Sequence, residues 1–288
     1  MTIKKINKIK SYGIFKDFRW ANTIPEFKKY NIINMSKSAK PKNTSWGGVA
    51  EWYDEYLADG DTYQEKVILP NLLRVLSLKR GDRVIDIACG QGYFTDRFQK
   101  AGAGVVGADI SKELIAIAKK RFPKIQFHCA PAEKLSFAKN SVFDIATIIL
   151  AVQNIADIRG TFRETARILR PGGRLVLVMN HPAFRIPRRS SWGWDEEEKI
   201  QYRRMDGYLS ESSVPILAHP GQRESESTLS YHRSLQDFFK AFSKAGFSAT
   251  RLEEWVSHKQ SEKGPRQKAE NRARAEFPLF LMLEAKKS

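Results

Sequence analysis

Two carboxylates and two glycines carry most of the chemical information in this sequence. Asp86 lies four residues before Gly90-Gln91-Gly92, and Asp109 follows Gly92 by seventeen residues. Gly90 and Gly92 let a backbone turn sharply and approach a ligand where a Cβ would collide. A dinucleotide-binding turn asks for a third glycine and amides facing a pyrophosphate. Here position 95 is Thr, and the acid at position 86 repels a diphosphate. That acid suits a cationic amino-acid head instead. Asp109 suits a ribose diol, because an ionised carboxylate accepts with both oxygens. A ligand with a diol, an ammonium group and no phosphates is S-adenosylmethionine.

The elements that must position these residues follow an alternating rhythm. Arg83–Ala88, Gly104–Asp109, Ile125–Cys129, Val142–Leu150 and Arg174–Met179 read as five strands. Val142–Leu150 is the most continuously apolar, as expected of a central strand buried on both faces. Helices are expected at Tyr93–Ala101, after the N-cap Ser111 with Leu114, Ile117, Ala118 and Phe122 on one face, and at Gly160–Leu169. Arg170-Pro171-Gly172-Gly173 reads as a turn before the fifth strand. Upstream, Ile68, Leu72, Val75 and Leu76 have helical spacing interrupted by Pro70. Downstream, Thr228–His232 reads as regular structure, Leu235–Ala245 as a helix closed by Gly246, and Phe247–Val256 with Phe277–Ala285 as a closing pair of strands. Lys259–Glu276 reads as a hydrophilic connection, with Arg266–Arg274 an exposed helical face or loop. The expected fold is α/β, Rossmann-like and doubly wound. It has a mainly parallel seven-stranded sheet, helices on both faces, and a lid inserted after strand five. Residues 181–228 break the rhythm and form that lid or acceptor-binding region.

Composition bounds the alternatives. The 288 residues are 42% hydrophobic and 28% charged, which is globular, and no apolar run is long enough to span a membrane. Two cysteines cannot make a disulfide framework or an unaided zinc site, so no metal is expected and a reducing cytoplasm is the default location. The start lacks the apolar core of a secretory signal. Of the net charge of +17, +9 falls in residues 1–45, read as a basic, flexible arm ahead of a domain spanning 46–288. Met35 is an alternative start. The arm allows nucleic acid as a partner without favouring it.

Residues 83–180 resemble the core of the class I S-adenosylmethionine-dependent methyltransferases, in particular the type 11 group that includes quinone-ring methylating enzymes. Val84–Thr95 resembles the group's first motif, and Val105–Ser111 its acidic ribose strand. Ala130-Pro131-Ala132-Glu133-Lys134-Leu135-Ser136-Phe137 is similar to the adenine-side loop, except that Pro131 replaces the usual Asp. Phe143–Ile155 resembles the fourth strand and its exit, and Leu169–Leu175 the Leu-x-Pro-Gly-Gly signature. The resemblance implies a cofactor site built from Asp86, Ala88, Cys89, Gly90, Gly92, Asp109, Ile110, Ala132, Glu133 and Gln153, with Tyr53 reaching in from the preceding helix. Cys89 reads as a small packed residue rather than a nucleophile.

His181, at the carboxyl end of strand five, is the candidate general base for an acceptor that must lose a proton. His232 and His258 are weaker candidates. Arg185, Arg188 and Arg189 with Trp192 and Trp194 form a basic, aromatic start to the insertion. They suit either a carboxylate, phosphate or planar ring, or a lid stapled by its own tryptophans. Methyl transfer to a small organic acceptor is the leading expectation. Nucleic-acid methylation and a non-catalytic cofactor-binding protein remain open. Against the former, the fourth strand ends Leu150-Ala151-Val152-Gln153-Asn154, without an Asn-Pro-Pro-Tyr type motif or a Pro-Cys pair. The residues disclose neither the acceptor nor the oligomeric state.

Overall fold

The computed structural model describes residues 60–217 and 227–288. Tyr53 and the basic arm 1–45 lie outside the described residues. Strands β1 (Arg83–Ile87), β2 (Gly104–Asp109), β3 (Gln126–Cys129), β4 (Phe143–Ile149) and β5 (Leu169–Asn180) pair in parallel, and β10 (Phe247–Trp255) and β11 (Phe280–Lys287) complete the sheet. The order is β3-β2-β1-β4-β5-β11-β10, with β11 antiparallel to both its neighbours. The seven-stranded, mainly parallel sheet is the one expected.

The two-residue period of the strands sorts their side chains into cores on opposite faces. Ile85 and Ile87, Ala146 and Ile148, Leu175 and Leu177, and Leu281 and Leu283 point to one face. They meet α4 (Ile158–Ile168) and α5 (Leu235–Lys244), where the Phe162 and Phe242 rings lie 4.9 Å apart. Val84, Ile145, Val176, Val178 and Met282 point the other way, toward α1 (Leu69–Leu76) and α2 (Tyr93–Lys100). Burying each such side chain contributes roughly 1.5–3 kcal/mol, so the near-continuous apolar strands are what hold the layers together. A smaller cluster seats α3 (Lys112–Arg121) on Phe127 of β3, and Ser111 caps that helix by accepting the Leu114 amide.

Several local features differ from the sequence reading. Pro70 does not break the first helix. A single π-helical turn at Gln64–Ile68, in which the Leu69 amide reaches back to the Gln64 carbonyl, places Pro70 in the first turn of α1, where its missing N–H is harmless. The Arg170–Gly173 turn lies inside β5, because the pairing jumps from Phe143–Leu169 to Ile145–Arg174 and the intervening residues bulge. A Cβ on Gly173 would meet the Arg170 carbonyl at 2.9 Å. Asp157 caps α4 two residues earlier than expected, its Oδ1 accepting the Gly160 amide at 2.8 Å. The connection after β10 takes the helical alternative read for Arg266–Arg274, as α6 (Gln267–Glu276). The insertion contains two antiparallel hairpins, β6 (Ser190–Asp195) with β7 (Ile200–Met205) and β8 (Ser212–Leu217) with β9 (Ser227–His232).

Gly107 of β2 marks the tightest contact in the sheet layer. A Cβ there would lie 2.5 Å from the Phe127 ring and 2.9 Å from the Cys89 sulfur. Gly107→Ala is expected to cost about 1–3 kcal/mol through overpacking. In the double variant with Phe127→Leu the loss should be smaller than the sum of the single losses, measured by denaturant unfolding. Strictly additive losses would contradict the contact.

Candidate functional site

The helices that follow β1 and β4 leave toward opposite faces of the sheet, so the carboxyl ends of these neighbouring strands part and open a crevice. A cavity of about 340 Å³ fills it. Asp86, Ala88 and Gly90 reach it from β1 and its turn, Asp109 and Ile110 from β2, and Leu150 and Gln153 from beyond β4. Ala88 and Leu150 sit in the left-handed region at φ 56° and 54°, conformations that cost a side-chain-bearing residue about 1 kcal/mol or more. Their strain redirects both strand ends around the cavity. The two glycines have separate reasons. Gly90, at φ 56°, has nothing within 4 Å of where its Cβ would be, whereas at Gly92, at φ 83°, a Cβ would press on the Phe127 ring at 2.8 Å.

Asp86 is 2% exposed and accepts from two hydroxyls, Thr147 Oγ1 at 2.8 Å on one oxygen and Thr95 Oγ1 at 2.7 Å on the other. Burial pushes its pKa up to about 6 against the lowering effect of both hydroxyls, and the charge on Asp109 adds to the rise. Asp109 is also buried. Its Oδ2 accepts the Gly90 amide at 2.8 Å and its Oδ1 the Ser111 amide at 2.9 Å, which ties the glycine turn to the end of β2. Desolvation raises its pKa although the amides pull it down. Among the described residues lining this cleft there are two acids and no lysine, arginine or histidine. Cys89 also lines it, but burial drives its thiol pKa well above the ordinary range, so it is the inert packed residue expected.

The remaining candidates divide. Ile110 lines the cleft with its apolar side chain 46% exposed. Gln153 Nε2 donates to the Leu150 carbonyl at 2.6 Å, and its buried Oε1 has no hydrogen-bond partner among the described residues. Gly92, Ala132 and the exposed Glu133 do not line the cavity. His181 does not line it either. The ring is 3% exposed, Nδ1 accepts the Ala183 and Phe184 amides at 3.2 and 3.3 Å, and Nε2 therefore carries the proton and donates to Glu254 at 2.8 Å. Burial lowers its pKa despite Glu254, so it is a neutral turn-ordering residue rather than a base at the cleft. His258 pairs with Asp61, and His232 bonds the Tyr208 carbonyl.

Spacing did not reveal the residues that the insertion and α1 contribute. Ile216 and Ser230 of the second hairpin, with Asn180 at the end of β5 and Gln64 before α1, complete the cleft wall. Asn154 anchors the hairpin by donating to the Leu229 carbonyl at 2.9 Å. Trp192 and Trp194 lie beneath Arg203 and Arg266, at 4.9 and 4.5 Å, so they staple the insertion rather than face the cleft. Thr95 was legible only as a missing glycine, yet it is one of the two hydroxyls holding Asp86.

The raised pKa of Asp86 has a definite linkage sign. Its folded value of about 6 exceeds its unfolded value, so its contribution is most favourable below the unfolded value and worsens as pH rises to about 6. The ionised carboxylate costs about 3 kcal/mol of folding stability at neutral pH. Asp86→Asn should therefore raise the Tm at about pH 8 and leave it nearly unchanged at about pH 4. Equal destabilisation at both pH values in thermal scans would refute this assignment.

The chain is similar to several known proteins. Residues 85–177 match the family model described as Methyltransferase domain. The demethylmenaquinone methyltransferase of Paenarthrobacter aurescens (strain TC1) is 33% identical over 162 residues, which cover 55% of this chain and 62% of that protein. The one from Chlorobaculum parvum (strain DSM 263 / NCIMB 8327) is 35% identical over 149 residues, covering 50% of this chain and 61% of that protein. The chain thus spans less than two thirds of the length of these curated relatives. Among solved structures, an S-adenosylmethionine-dependent methyltransferase from Mesorhizobium loti aligns with a TM-score of 0.59 and 27% identity, covering 75% of this chain and 96% of that one. A putative one from Listeria monocytogenes, at 21% identity and a TM-score of 0.58 over 76% of this chain and 97% of that one, shares the fold. Residues 85–177 thus match a Methyltransferase domain model, and the chain is similar in sequence and fold to S-adenosylmethionine-dependent methyltransferases.

Proposed function

We propose that this protein transfers the methyl group of S-adenosylmethionine to a small organic acceptor. The observation that carries the reading is the cleft at the parting of β1 and β4, with two buried acids and no cationic side chain among its described lining residues. Such a site favours a ligand that is cationic and carries a diol, and disfavours a diphosphate. The open space beside Gly90 and the unsatisfied Oε1 of Gln153 fit that ligand, whose sulfonium supplies an already activated methyl group.

Each residue then has a positioning role. Asp109 accepts the Gly90 amide on one oxygen and the Ser111 amide on the other, and its remaining acceptor capacity takes the ribose diol. Ile110 offers an apolar surface to the base, and Ala88, Cys89 and Gly90 let the backbone approach. Asp86 favours the ammonium end, directly or through water. Gln153 accepts from either partner in the reaction. The carry-over of Ala132 and Glu133 to the adenine side has no support in the cleft wall, and Tyr53 stays a proposal from resemblance alone. Hairpin β8–β9 contributes Ile216 and Ser230 to the wall and so serves as the water-excluding lid. The reaction then depends chiefly on in-line positioning. The relatives named for demethylmenaquinone support an aromatic acceptor. Among the described residues no helix is long and apolar enough to cross a membrane.

Calorimetric titration tests the reading. S-adenosylhomocysteine should bind with a Kd on the order of 1–100 μM, and Asp109→Ala should weaken it by about tenfold or more. Binding of NAD without S-adenosylhomocysteine would overturn the assignment.

A further inference from the structure

A second, smaller cavity of about 30 Å³ adjoins the cleft and shares Gln153, Asn180 and Ser230 with it. Its electrostatic character is the reverse. Arg185 and Arg233 line it, and no Asp or Glu does, among the described residues. Arg233 is 7% exposed. Its Nη2 donates to the Ile155 and Ala156 carbonyls at 3.0 and 2.7 Å, and its face lies 5.0 Å over the Tyr231 ring. Nη1 is buried and has no hydrogen-bond partner among the described residues. No carboxylate forms an ion pair with either arginine among the described residues. Burial lowers the pKa of Arg233, while the charges of Glu211, Asp237 and Asp157 act to raise it.

A buried guanidinium nitrogen with both N–H groups unused is costly unless a ligand completes it. We propose that this cavity is the acceptor's anchoring subsite and that it selects acceptors bearing an anionic oxygen group, a carboxylate or a phenolate, held by Arg233 Nη1 and Arg185. The inference rests on the proposed methyl-transfer reading and adds the chemical class of acceptor. The division of charge fits the transfer: the cationic donor lies between Asp86 and Asp109, the anionic end of the acceptor lies on the two arginines, and Gln153 and Asn180 form the boundary. Charge-assisted hydrogen bonds to Arg are about twice as strong as neutral ones, and a guanidinium's planar fork matches a planar anion. The ring of the acceptor then extends from the arginines toward the shared wall, where its nucleophilic atom faces the methyl group.

The test uses the full chain saturated with S-adenosylhomocysteine and four probes. Benzoate and 4-nitrophenolate carry the anionic oxygen, while methyl benzoate and 4-nitroanisole have similar shapes without the charge. Calorimetry should show benzoate, 4-nitrophenolate or both binding about tenfold or more tightly than their neutral counterparts. Which of the two does so distinguishes a carboxylate from a phenolate. Arg233→Met and Arg185→Met should each abolish the preference. The Arg185 side chain holds no backbone carbonyl among the described contacts, so Arg185→Met keeps the test valid if Arg233→Met fails to fold, and it should retain S-adenosylhomocysteine affinity. Equal binding of charged and neutral probes, no binding of either anion, or an unchanged preference in Arg185→Met would overturn the inference. Failure of S-adenosylhomocysteine itself to bind is a separate outcome, which would bring down the underlying reading as well.

Discussion

The structure of the site depends on keeping two carboxylates desolvated at the ends of adjacent parallel strands. Nothing in the described cleft wall neutralises them. Instead, hydroxyls and amides hold them in place: Thr95 and Thr147 on Asp86, Gly90 and Ser111 on Asp109. Burial raises the pKa of each acid although these neutral donors lower it, and because the donors do not cancel the carboxylate field the cleft keeps an attraction for positive charge. Folding bears that cost, and binding a cation recovers it. The large apolar cores on both faces of the sheet make such a cost tolerable.

The same hydrogen bonds shape the backbone. Asp109 draws the Gly90 amide toward β2, which fixes the glycine turn at the height where Ala88 and Leu150 bend away in left-handed conformations. The ring of Phe127 lies under this arrangement and explains why both Gly92 and Gly107 lack side chains. Electrostatics and close packing therefore select the glycines separately: Gly90 keeps the ligand side open, and Gly92 and Gly107 keep the core side closed.

The insertion after β5 adds what a bare nucleotide-type sheet lacks. Its first hairpin is pinned by cation–π stacking of Arg203 and Arg266 on tryptophans, and its second is tied to the exit of β4 through Asn154. The second hairpin lines both the acidic cleft and the arginine cavity, so one element borders the two. His181, although adjacent, serves the turn: its two nitrogens order the chain that leaves β5, and burial lowers its pKa.

The alternation of apolar strands and amphipathic helices, the acid–glycine spacing and the caps at Ser111 and Gly246 are local patterns. They were sufficient for the sheet, its mainly parallel character and the positions of Asp86, Asp109 and Gly90 in the cleft. Local pattern failed where a contact spans the chain. Thr147 lies sixty-one residues from Asp86, and Arg233 reaches carbonyls seventy-seven and seventy-eight residues away. The burial of His181 needs Glu254, seventy-three residues on. The sequence by itself determined the layers and the turn, because periodicity and backbone freedom depend on neighbouring residues. Only the tertiary structure decided which polar groups lose water and which partners they meet, because desolvation depends on everything that packs around a group and not on its place in the chain.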